Sequence, residues 1–542
     1  MVKHREQADA VLGRIARQFI LKNMLRSVVV TLAVAAQSQP VAQVITSQYD
    51  NARTGATLKE TVLTPANVNR GRFGKIFSYK VDGDVYAQPL FLPGVEIPGK
   101  GIHNVIFVAT EHDSVYAFDA EGNPSEPLWR VNFLNPGAGI ATVPARAVSC
   151  PFIAPEVGIT PTPAIDPQTG TLYVLARTKE SRGALSPDRY VQKMHALAIT
   201  TGVEKFGGPV EIQAKVKGKG AGAAQGEVAF DPLRELPRAG LLLSNGQVYL
   251  AWGSSCDVGP YHGWVMAYDA RTLAQTAVFN TSPDAEERGI WQSDNGPAAD
   301  EEGNVYVATG NGRFTAAAGG RDFGDSLLKL GLDTRGLVLR DFFTPFNEKA
   351  LNRDDDDLGS GGPVLLPGRL VLIGGKDGGL YVLNRDHLGK YQSETNSHAV
   401  QVIRFRDGIY SAPAYWNGHV YVLPSKDYLS DFKVENGKLS NQPVAMGTER
   451  FGNPGATPAI SANGARSGIV WLLDTKAWNG ADRPAVLHAY DAANVAHEIY
   501  HTEQVPGRDR VGKTLRFTIP TVVNGRVYVE AKGEVDVYGL LP

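Results

Sequence analysis

Pro297-Ala-Ala-Asp-Glu-Glu-Gly-Asn-Val-Tyr-Val-Ala-Thr-Gly-Asn311 reads as a polar turn holding a glycine, followed by a short apolar run with an aromatic centre. A run this short, bounded by turn residues and rich in β-branched and aromatic types, predicts a buried strand and not a helix. The phrase recurs in degraded form eight times: its central residues are Phe107, Tyr173, Tyr249, Tyr306, Val371, Tyr421, Trp471 and Tyr528. The mean period is about 60 residues, the length of a β-propeller blade with its loops. In several copies a second apolar run follows a short loop and ends in a matching phrase, at 115–119, 194–197, 265–269, 380–384 and 487–491. That is a meander of strands, so the sequence predicts an all-β fold, an eight-bladed β-propeller.

The expected blades run over 85–135, 157–210, 238–282, 291–345, 359–405, 409–446, 455–502 and 516–542. The last repeat stops at Tyr538, soon after its third strand, while 74–81 reads as the outermost strand of a blade. An N-terminal strand completing the last blade would close the ring and remove exposed edges. The propeller is thus expected over 74–542, preceded by an irregular lead-in over 44–73. The sum of 59 Gly and 33 Pro exceeds the usual share and suits many tight turns. Lys215 to Gln225 reads as a mobile Gly/Ala/Lys loop.

Residues 1–43 read as a secretory signal: the apolar core 27–36 follows Lys22 and Arg26 and precedes small and polar residues. A start at Met24 would give a more ordinary signal, with 1–23 either an over-extended gene start or a long basic segment. The core is short for a membrane span, so none is expected after cleavage and the destination is periplasmic or extracellular, with a single N-terminal membrane anchor as the alternative. A net charge of −2 argues against a nucleic-acid partner. The two cysteines, Cys150 and Cys256, fall on loops of the same face in a chain read as exported, so a disulfide between them is the leading reading and two free thiols the alternative.

In a propeller, the loops joining second to third strands and those joining blade to blade share one face. That rule gathers Trp291, Asn295, Asp257, Asn311, Asp357 and Lys376 around one opening. Charges of both signs converging there make a binding funnel.

The ordered set Tyr261-His-Gly-Trp-Val-Met-Ala-Tyr-Asp-Ala270, Gly296 to Asp300 leading to Thr309-Gly-Asn311, Phe343-Thr-Pro345 and Asp357 resembles the successive signatures of the quinoprotein alcohol dehydrogenases. That resemblance implies pyrroloquinoline quinone (PQQ) and calcium as cofactors. It places Asn311 as a metal ligand with Asp257 as an approximate second, and Asp357 as the general base. Trp291, Asn295 and Lys376 are the cofactor-binding candidates. The chain departs from the pattern in three places. Asp257 stands near the slot of a calcium-binding Glu, His262 replaces an Arg, and a single Cys150 replaces an adjacent cysteine pair. No Cys-x-x-Cys-His haem-attachment phrase is present. Two readings follow: an exported PQQ-dependent dehydrogenase oxidising an alcohol or sugar, or a non-catalytic propeller that binds a protein or glycan on its funnel face.

Overall fold

The computed structural model describes residues 42–542 apart from 182, 184–185 and 479–482, so all but the last two residues of the expected signal lie outside it. Eight antiparallel blades follow one another along the chain. The first is built from Leu90–Ile97, Gly101–Ala109, Ser114–Asp119 and Trp129–Asn132, and the seventh from Ala459–Asn463, Arg466–Asp474, Val486–Asp491 and Glu498–His501. Each recurrent apolar run is the second strand of its blade. These runs do not alternate with polar residues because blades stack face to face: Val105, Ile106, Phe107 and Val108 are all buried. Phe73–Asp84 pairs antiparallel with Arg526–Leu540, with Lys75 opposite Tyr538 and Lys80 opposite Glu534, and closes the eighth blade as expected. Lys215–Lys217 pairs with Glu227–Ala229, so the Gly/Ala/Lys stretch is anchored at its start by a short hairpin and does not run as an open loop. Among the described residues no helix is long and apolar enough to cross a membrane.

The repeat phrase has a packing reason. The aromatic at the centre of a second strand reaches the next blade, where its hydroxyl donates to the carbonyl that follows the third-strand Asp. Tyr173 bonds Ala270 O at 2.6 Å, Tyr421 bonds Ala492 O at 2.7 Å, and Tyr528 bonds Ala120 O across the closure at 3.1 Å. That Asp in turn accepts backbone N–H groups two residues on, fixing the third-to-fourth-strand turn: Asp119 from Glu121, Asp269 from Arg271 and Asp491 from Ala493.

Innermost strands of a propeller present an unpaired edge to the axis, and here residues 44–55 occupy it. Val44 exchanges both backbone bonds with Phe91 of blade one, and Ile45 O accepts Ile165 N–H of blade two. Asn51 serves blades three and four, its side chain donating to Leu243 O and its carbonyl accepting Ala299 N–H. The carbonyls of Ala52, Thr54 and Gly55 accept from Leu365, Tyr415 and Ile460 of blades five, six and seven. The Tyr49 hydroxyl donates to Pro520 O and accepts Val522 N–H of blade eight. Arg53, fully buried, donates to the carbonyls of Ser47, Pro297 and Leu241. One short segment therefore bonds all eight blades.

Candidate functional site

The face that carries the inter-blade loops holds a cavity of about 240 Å³. Its wall receives a side chain from every inter-blade connection, from Tyr86 before blade one to Arg516 before blade eight. Trp291, Asp257, Asp357, Lys376 and both cysteines line it together. Cys150 and Cys256 form a disulfide, with Cα atoms 5.5 Å apart. The bridge pins the segment before blade two to the loop of blade three, over a small core of Val143, Val148, Val157 and Leu236.

Trp291 leaves the loop between blades three and four and lies close to two glycines. A Cβ at Gly253 would stand 3.0 Å from its ring, and one at Gly310 would stand 2.7 Å from its Nε1 and 2.1 Å from Asp357 Oδ1. The glycine of the Thr-Gly-Asn phrase is therefore required because any side chain there would collide with a buried carboxylate. The Trp291 Nε1 is buried without a partner, and Tyr261 meets its ring edge-on at 6.3 Å.

Asp357 is 3% exposed and is held from two sides. Asn311 N–H donates to its Oδ1 at 2.7 Å, and the Lys376 ammonium pairs with its Oδ2. Burial raises the Asp357 carboxyl above its ordinary value, opposed by Lys376 and Asn311. Burial works against the Lys376 charge as well, but Asp357 and Asp355 more than offset it and the ammonium is favoured. Lys376 also bonds Asp355 O at 3.1 Å. Behind this pair Asp325, fully buried, accepts Leu358 N–H at 3.1 Å, and burial first, then Asp357, raises its carboxyl well above the usual range.

The remaining candidates sit differently. Asn295 does not line the cavity: its Nδ2 donates to Gly361 O at 2.9 Å and its Oδ1 accepts Gly296 N–H at 2.7 Å, which ties the Trp291 loop to the Asp357 loop. Asn311 lies outside the lining too, with its Oδ1 buried and unpartnered. Asp257 accepts the Tyr261 hydroxyl at 2.7 Å, and burial raises its carboxyl. The histidines at third-strand positions, His195 and His488, bond Glu204 and Glu498 within their own blades, at 2.5 and 2.6 Å.

Reading the sequence missed Arg238, Arg516, Ser254 and Tyr410, all of which line the cavity. Three of the four precede the innermost strand of a blade, where the loop rule applied to Trp291 would also have found them. Ser254 ends a second strand and carried no signal.

Fold and site together define an eight-bladed propeller with a cavity lined from every inter-blade connection. No family model matches the chain, and no curated protein matches it in sequence. Among solved structures it is similar to a europium-containing methanol dehydrogenase, with TM-score 0.57 and 13% identity over 92% of this chain and 98% of that one. It is also similar to the quinohemoprotein alcohol dehydrogenase ADHIIG from Pseudomonas putida HK5, with TM-score 0.55 and 15% identity over 92% and 80%. A third is the quinohemoprotein alcohol dehydrogenase from Comamonas testosteroni, with TM-score 0.52 and 16% identity over 94% and 82%. At such identities the likeness establishes the fold alone: the chain has the propeller architecture that those dehydrogenases share.

Proposed function

We propose that the chain is an exported quinoprotein dehydrogenase of altered site, oxidising the hydroxyl of an alcohol or sugar. The observation that carries this reading is the meeting, in one cavity, of the Trp291 ring, the disulfide wall and a buried carboxylate paired with an ammonium, Asp357 with Lys376. PQQ fits these residues: its flat ring system matches the Trp291 face, and the orphaned Nε1 of Trp291 and hydroxyls of Ser254 and Ser360 are donors without acceptors. When bound, PQQ would supply the acceptor for the hydride removed from the substrate carbon. Asp357 takes the hydroxyl proton, with Asn311 N–H and Lys376 fixing the direction of its oxygens. Lys376 also supplies positive charge where negative charge develops.

The same residues do not make a calcium shell. That ion needs several hard oxygen ligands, whereas Asp357 is paired with Lys376, and the two expected ligands offer only Asn311 Oδ1 and the Asp257 oxygen that Tyr261 leaves free. Among the described residues no group of three or more acidic, His or Cys side chains is placed to hold a metal. The disulfide supports an oxidising destination, periplasmic or extracellular. The incomplete metal shell favours a second reading, a non-catalytic propeller binding a protein or glycan at the funnel.

Titrating the mature protein with PQQ, with and without Ca²⁺, tests the first reading by absorption and thermal melting. Saturable binding lost in Trp291→Ala is expected. Asp357→Asn should retain binding and lose at least about 100-fold in alcohol oxidation with an artificial acceptor. No binding at any concentration would leave the second reading.

A further inference from the structure

Buried arginines elsewhere in this chain have acceptors. Arg53 donates to three backbone carbonyls, Arg177 to those of Pro232 and Leu233, and Arg288 to that of Arg313. Arg238 and Arg516, from the connections before blades three and eight, differ. Both line the cavity, and among the described residues neither guanidinium has a hydrogen-bond acceptor or a carboxylate within ion-pair distance. Arg238 is 8% exposed, and both are held by aromatic faces instead. Arg238 stands 5.5 Å from the Tyr86 ring centroid and 5.4 Å from that of Phe517. Arg516 stands 4.1 Å over Phe152, 4.3 Å over Trp478 and 5.1 Å over Phe517. Phe517 therefore serves both, and the two cations oppose each other: burial, then the Arg238 charge, pushes Arg516 down to about 10.

For the buried Arg238 the lack of an acceptor is costly, and an aromatic face recovers only part of what water supplied. The geometry is that of a fork awaiting an anion. The same cavity carries the carboxylates of Asp257, Asp355 and Asp357, which leave the anionic end of a ligand to the arginines and its hydroxyls to face the acids. A single carboxylate on an otherwise hydroxylated molecule meets both conditions.

We propose that Arg238 and Arg516 form a carboxylate-recognition subsite, and that the molecule oriented in this cavity is a hydroxy acid of the uronic-acid class. The carboxylate docks on the two guanidiniums between Tyr86, Phe152 and Phe517, and the hydroxyls point toward Asp357 and Lys376. The inference rests on the dehydrogenase reading for what happens to the hydroxyl, but the binding itself needs no cofactor.

The test is calorimetric titration of the cofactor-free mature protein with glucuronate and with glucose, which share a ring and differ in the carboxylate. Glucuronate should bind at least about tenfold more tightly, and Arg516→Gln should remove roughly that factor while leaving glucose unaffected. Arg238→Gln should do the same, and because this side chain is buried its melting curve is read alongside; the half-buried Arg516 keeps the test decisive if that variant does not fold. Equal affinity for the two sugars, no binding of either, or glucuronate affinity unchanged in Arg516→Gln would overturn the proposal. So would tighter binding of glucose 6-phosphate. Displacement of glucuronate by PQQ would assign the arginines to the cofactor's own carboxylates and overturn it as well. Glucuronate binding without PQQ binding would sustain the subsite and sink the dehydrogenase reading, so the two failures are distinguishable.

Discussion

Glu111 and Asp294 are the carboxylates whose charges act on Arg238, and burial pushes both up to about 7. For Glu111 the Gly158 N–H and the Thr160 hydroxyl oppose the shift, and for Asp294 the Thr457 hydroxyl and Arg238 do. A raised folded-state value means that the native protein binds the proton more tightly than the unfolded chain. The resulting stability is complete below the ordinary carboxylate range and is lost as pH rises through about 7. By pH 8 the penalty is on the order of 3 kcal/mol for each group. For a chain of this length roughly 1 °C accompanies each kcal/mol. Glu111→Gln and Asp294→Asn are therefore each expected to raise the melting temperature by about 2–4 °C at pH 8 and to leave it nearly unchanged at about pH 4.5. Calorimetric scans across that range check this; a difference that does not vary with pH would mean that the two carboxyls titrate normally.

At the scale of elements, the cavity wall depends on how the inserted segment before blade two is fastened. Ala145–Val148 is a single helical turn with little burial of its own, and Val148 is its one buried residue. Its attachment to blade three is the Cys150–Cys256 bridge, which joins positions 106 residues apart. A loop of that length gives a cross-link worth about 5 kcal/mol through the unfolded chain. Replacing both cysteines by serine should lower unfolding stability in urea by that amount and weaken any ligand that packs on the disulfide wall. Unchanged stability would show that the segment docks without the bridge. The loops themselves follow a simple rule of placement, so Trp291, Asp357, Asp257 and Lys376 could be brought to one opening from sequence. Asn295 obeyed the same rule and yet turned away, because Gly361 O and Gly296 N–H take both ends of its amide.

For the whole molecule, closure comes from two devices: the outer strand Phe73–Asp84 completing blade eight, and the axial segment bonding every innermost strand. The second is centred on Arg53, which gathers carbonyls from the axial segment itself and from the approaches to blades three and four. Arg53→Met removes these donors and leaves buried carbonyls unsatisfied, so a loss of about 3 kcal/mol is expected. Hydrogen exchange should quicken at the axis-facing amides of Ala299, Leu365, Tyr415 and Ile460 before it does in the outer strands. Uniform exchange across the blades would refute an axial role for this segment.

Blade number, strand order and ring closure are local or periodic properties. A turn with glycine, an apolar run and an Asp-capped return determine a blade wherever they occur, and eight spaced copies leave one way to bury both faces of each. The sequence by itself therefore determined the propeller, the N-terminal strand in the last blade and the placement of both cysteines on one face. Only the tertiary structure decided that Arg238 and Arg516 both stand against the Phe517 ring, that Gly310 makes room for Asp357, and that 44–55 fills the axis. These depend on which way side chains point once the ring has closed, and residues from opposite ends of the chain meet there without any shared spacing to announce them.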